Sequence, residues 1–508
     1  MKERIASSIV PKILLVLNVL ILMVYFAWWF FFDHVKNPWL YGALFAGEIY
    51  HVVMALTFWF TVRRQKQIIP FRQENLHPFV DAFITVAGEE VEVVERTLRA
   101  VLNMEYPNLK VYILNDGFVA KKKNWKDIEK LAELYGATAI TRKVGGGAKA
   151  GNINNALRKT HSEIIVIFDA DMVPDQNFLT KVIPYFGDPS LGFVQTPQFY
   201  ANSEENYVAG SAWEQQQLFF GPIMEGKNAS NAAFICGTNV AIRRKALEEV
   251  GGMREDNIAE DFLTSLNIHQ RGWKSHYHNE VLVRGLAPQD LLSYYKQQLR
   301  WARGSLEVLF GDNPLFKKGL NWKQKLEYLS SGLYYLNGLI VAIDIVIPLF
   351  SLLTGIEPVS STTTVFAVLF LPFIFMTFLT LYLVTGKNLS FRALAFSQSS
   401  WTIHLAALQA VLLRKNVQFA ITPKHAQKGN FLYLAFPHMA YFILAITASG
   451  VGFFREGFTP SIATNVSWVM FNSIMFFPFI YSAFPKSQLT EKILPKNIWQ
   501  FADVSEKT

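Results

Sequence analysis

Cysteine is nearly absent: the chain of 508 residues carries one, Cys236. No intramolecular disulfide can form, and nothing in the sequence calls for an oxidising compartment. Charge is scarce as well. Asp, Glu, Lys and Arg make up 17% of the residues against 51% hydrophobic ones, a poor balance for a soluble protein. There is no internal repeat, no low-complexity tract and no P-loop pattern of the Gly-x4-Gly-Lys-Ser/Thr kind. The first apolar run is followed by no obvious small-residue cleavage site, so it reads as a retained helix and not as a secretory signal.

What is present is long apolar runs. Six have the length to span a bilayer: Ile13–Phe32, Trp39–Val62, Leu326–Leu353, Thr364–Val384, Phe431–Ser449 and Ile462–Phe484. The net charge of +8 is carried by basic residues that flank these runs, which points to anionic lipid and membrane orientation, not to nucleic acid. Lys and Arg gather after the second run (Arg63, Arg64, Lys66), before the third (Lys317, Lys318, Lys323, Lys325), before the fifth (Arg414, Lys415, Lys424, Lys428) and after the last (Lys486, Lys492, Lys496), whereas Gly355–Ser361 has none. This bias puts both termini and the segment between the second and third runs on the cytoplasmic side of a multi-pass plasma-membrane protein. Phe391–Gln418 is apolar but carries Arg392, His404 and Arg414, so it reads as an interfacial helix. The expected division is 1–66 as a pair of transmembrane helices, 67–325 as a cytosolic catalytic domain, and 326–508 as a channel region with an interfacial helix and loop at about 389–428.

Within 67–325, Phe79–Val86, Leu109–Leu114 and Ile164–Phe168 read as strands, and helical patterns at Val91–Asn103 and Asn124–Tyr135 follow the first two. The alternation predicts an α/β fold with a largely parallel sheet, whose ligands sit beyond the carboxyl ends of the strands. Acidic residues fall there: Asn115-Asp116-Gly117 after the second strand, Asp169-Ala170-Asp171 at the end of the third, and Ala259-Glu260-Asp261 before a helical stretch at Phe262–Gln270. A nucleotide-diphosphate sugar needs such chemistry. Two carboxylates spaced Asp-x-Asp hold Mg²⁺ or Mn²⁺ against the diphosphate, and a further carboxylate takes the proton of the attacking hydroxyl. Each motif alone has a plainer reading, as a solvated turn or a helix N-terminus; their order along the strand ends gives them weight together. Gly145-Gly146-Gly147-Ala148-Lys149-Ala150-Gly151-Asn152 adds a glycine-rich turn with a cation. Gln297, Arg300 and Trp301 share one helix face, offering hydrogen bonds, a phosphate-binding cation and a flat surface for a sugar ring.

These residues, from Phe79 to Lys428, resemble the processive family-2 glycosyltransferases and among them the bacterial cellulose synthase catalytic subunits. The signatures stand in the family's order: Asp116, Asp169 with Asp171, Glu260 with Asp261, and Gln297-x-x-Arg300-Trp301. Between them lie Lys149-Ala150-Gly151-Asn152, Gln195-Thr196-Pro197 and Phe234-Ile235-Cys236-Gly237, and Phe419-Ala420-Ile421-Thr422-Pro423-Lys424 resembles the family's gating loop. The resemblance implies a GT-A-type catalytic domain inserted between transmembrane helices. It implies that Asp261, beside Glu260, is the general base. Thr85, Glu89, Asp116, Lys149, Asp169, Asp171, Gln297, Arg300, Thr422 and Lys424 would bind the donor. Trp301, Phe234, Cys236 and Gly237 would line the acceptor site, and Asp169 and Asp171 would hold the metal. The implied product is a β-linked polysaccharide such as a β-glucan, made from a UDP-sugar, with UDP-glucose the first choice, by inversion at the anomeric carbon. The growing polymer and the bilayer are the implied partners, accessory secretion proteins would be compatible with them, and nucleic acid is not among them.

The departures are specific. Asn115 stands for the family's first Asp, Ala259 for its Thr, and Gly147 where cellulose enzymes often carry His. The first strand runs Thr85-Val86-Ala87-Gly88-Glu89 and lacks an aromatic for uracil. The short stretch after the last span leaves an expectation of no cyclic-di-GMP-sensing module. Two other readings fit parts of the sequence: a non-processive transferase adding one sugar to a lipid carrier, and a transporter with a cytosolic nucleotide-binding domain. Glu48, His51 and Asp344 are ionisable residues well inside apolar runs; the first two are expected to face the polymer path and Asp344 to pair within the bundle.

Overall fold

A computed structural model describes residues 4–5, 10–63, 70–360, 363–388, 390–414, 427 and 429–484. Two apolar helices open the chain, α1 (Lys12–Trp28) and α2 (Pro38–Val62). Asn37 caps α2 by accepting from the N–H groups of Trp39 and Leu40, and Pro38 fits the first turn, where no N–H is needed.

The domain that follows is built on a seven-stranded sheet. Its elements are β1 (Val80–Val86), α3 (Val91–Leu102), β2 (Leu109–Asn115), α4 (Trp125–Leu134), β3 (Thr138–Thr141), α5 (Ala148–Leu157) and β4 (Ile164–Asp169). Next come β5 (Val173–Pro174), α6 (Phe178–Val182), β6 (Leu191–Gln195), β7 (Phe199–Tyr200), α7 (Tyr207–Leu218), α8 (Met224–Ala229), β8 (Val240–Arg243), α9 (Arg244–Glu248), α10 (Glu260–Gln270), β9 (Lys274–Tyr277), β10 (Val283–Gly285) and α11 (Leu291–Gly311). The sheet order is β3-β2-β1-β4-β8-β6-β9, and β5, β10 and β7 form a small second sheet. β8 is antiparallel to both neighbours and the other pairs of the large sheet are parallel. The period of two in β1 places Val80, Ala82, Ile84 and Val86 in one core, with Val94, Leu98 and Val101 of α3. Phe83 faces the other core, with Ile153 and Ala156 of α5. Covering both faces of the sheet in this way makes the strands read as continuous apolar runs. Asp81 is the polar exception: it is buried and accepts from Ser162 and from Arg244, 3.1 Å away.

The chain then returns to apolar helices: α12 (Trp322–Leu333), α13 (Asn337–Thr354), α14 (Thr363–Val384), α15 (Phe391–Ser399), α16 (Trp401–Leu412), α17 (Leu432–Glu456) and α18 (Pro460–Ser482). Among the described residues, five helices are long and apolar enough to cross a membrane: Pro38–Val62, Trp322–Thr354, Ala367–Val384, Leu432–Glu456 and Pro460–Ser482. The expected first span over Ile13–Phe32 is shorter than its apolar run. Its helix stops at Trp28 after 17 residues, about 26 Å of rise against a hydrocarbon core of about 30 Å. It is held to α14 by Asn18, which donates to Thr380 at 2.9 Å. The expected interfacial helix is a pair, α15 and α16, packed on α18 and α11. Of the polar residues that marked the stretch, Arg392 and His404 are turned to the protein, and Arg414 is exposed. Arg392 forms an ion pair with Glu214 of α7, and His404 is buried against Tyr334 and Tyr335.

One buried charge cluster ties the domain to the membrane helices. Glu327 of α12, fully buried, accepts from Thr61 of α2 at 2.8 Å and stands 3.4 Å from Lys227 of α8, itself 2% exposed. Gly226 lets this junction close, because a Cβ there would overlap the Thr61 carbonyl.

Candidate active site

The register of four neighbouring parallel strands lines up the polar residues at one sheet edge. Thr85 is opposite Asp169, Val86 opposite Asn115, and Asn115 opposite Thr141, so Asp116 and Arg142 follow side by side. Asp169 accepts from the Thr85 hydroxyl at 3.0 Å, and its N–H donates to Thr238 Oγ1 at 2.9 Å. Lys149, from the first turn of α5, forms an ion pair with Asp169 and donates to the Gly237 carbonyl at 2.8 Å. Thus Thr85 and Lys149, both expected at the donor, hold Asp169 here. Asp171 is buried beside them and lines the same cavity.

Asp116 is gripped from one side. Arg142 Nε and Nη2 reach its two carboxylate oxygens at 2.8 and 2.6 Å. The same guanidinium donates to the carbonyls of Gly146 and Ala148, bracing the glycine-rich turn. Burial pushes the Asp116 carboxyl up, and Arg142 opposes that. Asn115 works as a turn former: its Oδ1 accepts from Gly117 N–H at 2.9 Å and its Nδ2 donates to the Trp125 carbonyl at 2.8 Å. An aspartate there would lose that second bond. Gly147 has φ of 63°, and any Cβ on it would overlap the Glu255 carboxylate, which Asn154 holds at 2.7 Å. A side chain at this position would have to displace the Glu255 carboxylate. Glu89 accepts from Ala87 N–H at 2.6 Å, shaping the turn after β1.

Glu260 and Asp261 form the first turn of α10, where the helix N-terminus favours acids. Phe262 N–H donates to Asp261 Oδ1 at 2.7 Å. Burial raises both carboxyls, and the neighbouring Asp261 charge raises Glu260 further, to about 7, against the pull of Lys149 and Arg300. Ala259 is small for a reason: a Cβ on Gly304 of α11 would already lie 2.6 Å from the Ala259 Cβ, so α11 closes directly on the acid turn. That packing delivers Gln297, Arg300 and Trp301 to the site. Gln297 Oε1 is buried with no hydrogen-bond partner among the described residues, at a cost of about 1–3 kcal/mol. A bound donor group would remove that cost.

Cys236 and Gly237 sit against the acids. Burial, and then the Asp261 charge, push the Cys236 thiol well up, so it stays protonated. Gly237 has φ of 81°, and a side chain on it would come within 3.2 Å of Asp261 Oδ2. Phe234 packs edge-on to Phe262 at 4.8 Å. All the described residues assigned from sequence line one cavity of about 1650 Å³. Thr422 and Lys424 lie outside the described residues. Gln427, beyond them, donates its N–H to Asp290, the cap of α11, at 3.0 Å.

The cavity does not end at the acids. It continues past Phe219, Lys227 and Ser331 between the membrane helices to Lys36, Glu357 and Ser461. Lys36 and Glu357 belong to loops at the helix ends away from the sheet, where they form an ion pair, and Ser461 belongs to the first turn of α18. Arg142 is what sequence reasoning missed; Glu48 and His51, expected to face a path between the helices, line this stretch. A cation directly after a strand beside Asp116 was the available signal for Arg142.

Residues 77–304 match the family described as glycosyltransferase like family 2, and residues 241–436 match cellulose synthase. Together the two matches cover residues 77–436, and over that stretch the chain is similar to the cellulose-synthase-like family-2 glycosyltransferases. A putative cellulose synthase 2 of Komagataeibacter xylinus is 32% identical over 434 residues, covering 82% of this chain and 27% of that protein. The UDP-forming cellulose synthase catalytic subunit of Pseudomonas fluorescens is 31% identical over 462 residues, covering 86% of this chain and 61% of its own length. This cellulose-synthase-like chain thus spans 27% of the first relative and under two thirds of the second. A mannosyltransferase of Pyrobaculum calidifontis, solved with GDP-mannose and Mn²⁺, has the same fold, with a TM-score of 0.53 at 17% identity over 74% of this chain and all of that one.

Proposed function

We propose that this chain is a membrane-embedded, inverting, processive glycosyltransferase that polymerises a UDP-sugar, UDP-glucose first among the candidates, into a β-linked polysaccharide and passes it through its own helices. The observation that carries the reading is the single cavity running from Asp261 to the loops at the far ends of the helices. A transferase that adds one sugar to a lipid carrier has no use for such a path.

Asp261 takes the proton from the acceptor hydroxyl. The freed oxygen attacks the anomeric carbon, the bond to the diphosphate breaks, and its electron pair leaves with UDP. Arg300 and Lys149 offer positive charge to that leaving group, Asp116 and Glu89 hold the nucleoside end, and Trp301 with Phe234, Cys236 and Gly237 seats the acceptor sugar. The donor set of Asp169 and Asp171, two hard carboxylates at one strand end, suits Mg²⁺ or Mn²⁺. No cluster of three or more metal-ligating side chains exists among the described residues, so phosphate oxygens and water would complete the shell. When bound, such an ion would neutralise diphosphate charge. The flanking basic residues support a cytoplasmic sheet domain, with export away from it.

The test is purified protein in lipid with radiolabelled UDP-sugars and a divalent cation. High-molecular-weight product is expected from one donor, and none from Asp261→Asn. A product of one added sugar would favour the lipid-carrier reading. No transfer from any donor, with Asp261→Asn equally inert, would overturn the proposal.

A further inference from the structure

Residues 235–239 run between the two halves of the site and have no regular secondary structure, so no backbone ladder fixes their path. Side chains hold them instead. Toward the acid turn, the Ser265 hydroxyl of α10 donates to the Asp261 carbonyl at 2.7 Å and accepts from Ile235 N–H at 2.8 Å. Toward the donor acids, the Gly237 carbonyl accepts from Lys149, and Thr238 Oγ1 accepts from Asp169 N–H while donating to Asn239 Oδ1 at 3.0 Å. A Cβ on Gly237 would lie 3.2 Å from Asp261 Oδ2 and 3.7 Å from Lys149 Nζ, so this residue stands against both. One side chain grips the segment from behind. Gln195, at the end of β6 and 0% exposed, accepts from Cys236 N–H at 2.9 Å through Oε1. Its Nε2 donates to the carbonyls of Thr196 and Thr238 at 2.7 and 2.9 Å, with that of Asn239 3.3 Å away. Both polar atoms of the carboxamide are engaged, and its bonds to Cys236 and Thr238 bracket Gly237.

Transfer needs the attacking hydroxyl and the anomeric carbon within a narrow range of separation, and a misplacement of about 1 Å costs about 10²-fold in rate. The base belongs to α10 and the donor acid to β4; residues 235–239 bond to both, so their path sets how far apart the two stand. A carboxamide suits the grip, because it donates on one side, accepts on the other and adds no charge beside the acids. We propose that Gln195 is a positioning residue: it fixes residues 235–239 as a yoke between Asp261 and the Asp169–Lys149 pair, so that the sugar hydroxyl, and not water, reaches the anomeric carbon. The inference rests on the transferase reading of this site.

The experiment compares products with each other, because their ratio does not depend on how much of the protein is folded. The full chain in lipid is given the UDP-sugar that the wild type polymerises, labelled in the sugar, with Mg²⁺ or Mn²⁺. UDP, polymer sugar and free sugar are measured together. The wild type should release one UDP per sugar joined. Gln195→Met fills the space without the bonds. Its kcat should fall by about 10²-fold, with donor KM changed less, and UDP per joined sugar should rise by about twofold or more as water takes the place of the misplaced hydroxyl. In that side reaction the water oxygen bonds to the anomeric carbon, the bond to the diphosphate breaks with its electron pair leaving on UDP, and the water proton passes to Asp261. Thr238→Val removes one link of the yoke and keeps the test open where Gln195→Met does not fold. It should uncouple in the same direction, and Thr238→Ser, which keeps the hydroxyl, should restore one UDP per joined sugar. One UDP per joined sugar from Gln195→Met, or from Thr238→Val where Gln195→Met does not fold, would overturn the yoke whatever the rate. Failure of the wild type to make polymer from any donor would instead overturn the transferase reading.

Discussion

At the residue scale the site is a balance of buried charges. Burial raises the Asp261 carboxyl, which makes it a better proton acceptor, and Lys149 and Arg300 oppose that rise for both acids. A base works only when deprotonated, so transfer should rise with pH as the raised Asp261 carboxyl ionises and fall as the pH drops below that range. Glu260→Gln removes the repulsion between the two carboxyls, so the acid limb of kcat/KM should move to lower pH; an unmoved limb would remove Glu260 from this coupling. Asp261→Asn should cost about 10²–10⁴ in rate with an unchanged unfolding temperature. Arg142 calls for a different measurement. Arg142→Met leaves Asp116 buried without its partner and frees the glycine-rich turn, so stability should drop by about 3 kcal/mol and donor KM should rise more than kcat falls. Arg142→Lys keeps the charge but not the fork, and should recover only part of the loss. Asp116, Asp169, Asp171, Glu260 and Asp261 were legible in sequence because acids at strand and helix ends mark themselves by position. The bonds of Arg142 to Asp116 and Gly146 were not, because they depend on the register of β2 against β3 and on the path of the turn after it. Asn115 and Ala259 appear in sequence as departures from the family pattern. In space each is explained by a contact, with Trp125 and with Gly304 respectively.

At the scale of elements, the decisive joint is the one between sheet domain and membrane. Lys227 of α8, Glu327 of α12 and Thr61 of α2 meet where water does not reach. Lys227→Met strands Glu327 in a buried setting and should destabilise by about 3–5 kcal/mol, read as a lower unfolding temperature in detergent. Adding Glu327→Gln should return most of that loss, since the uncompensated charge is gone; no recovery would mean that packing, not charge, governs the joint. None of this could be read from a linear pattern, because the three residues lie on helices separated by hundreds of positions. The strands β1, β2 and β4 were legible because both faces are covered and their runs are apolar. β6, β8 and β9 were not. They are four or five residues long, and Lys274–Tyr277 carries polar side chains into a buried edge, so neither period nor composition announces it. The apolar run at Ile13–Phe32 overstated α1 for the opposite reason: hydrophobicity continues past Trp28 while the helix does not.

At the scale of the whole molecule, length and hydropathy showed that helices cross a membrane, but not that they leave a continuous path between them. That path is a property of packing: α2, α13, α14 and α18 each contribute one side of it, and it meets the sheet domain at the acids. It also yields a prediction that separates chemistry from export. Thr377 of α14 lines the path, far in sequence from the acids, and its hydroxyl is spent on the Phe373 carbonyl. Thr377→Trp therefore adds bulk to the path without removing a contact that the site needs. Donor binding and the first transfers should proceed at the wild-type rate. Elongation should then stall once the chain reaches the obstruction, giving short products on a sizing gel and UDP release that stops after an early burst. Thr377→Ser, which keeps the hydroxyl and narrows nothing, should elongate normally. If Thr377→Trp makes full-length polymer, the product leaves by another route and the cavity between the helices is not its path. If it fails even at the first transfer while its unfolding temperature is unchanged, the helices govern the acid site itself, and catalysis and export cannot be separated along this cavity.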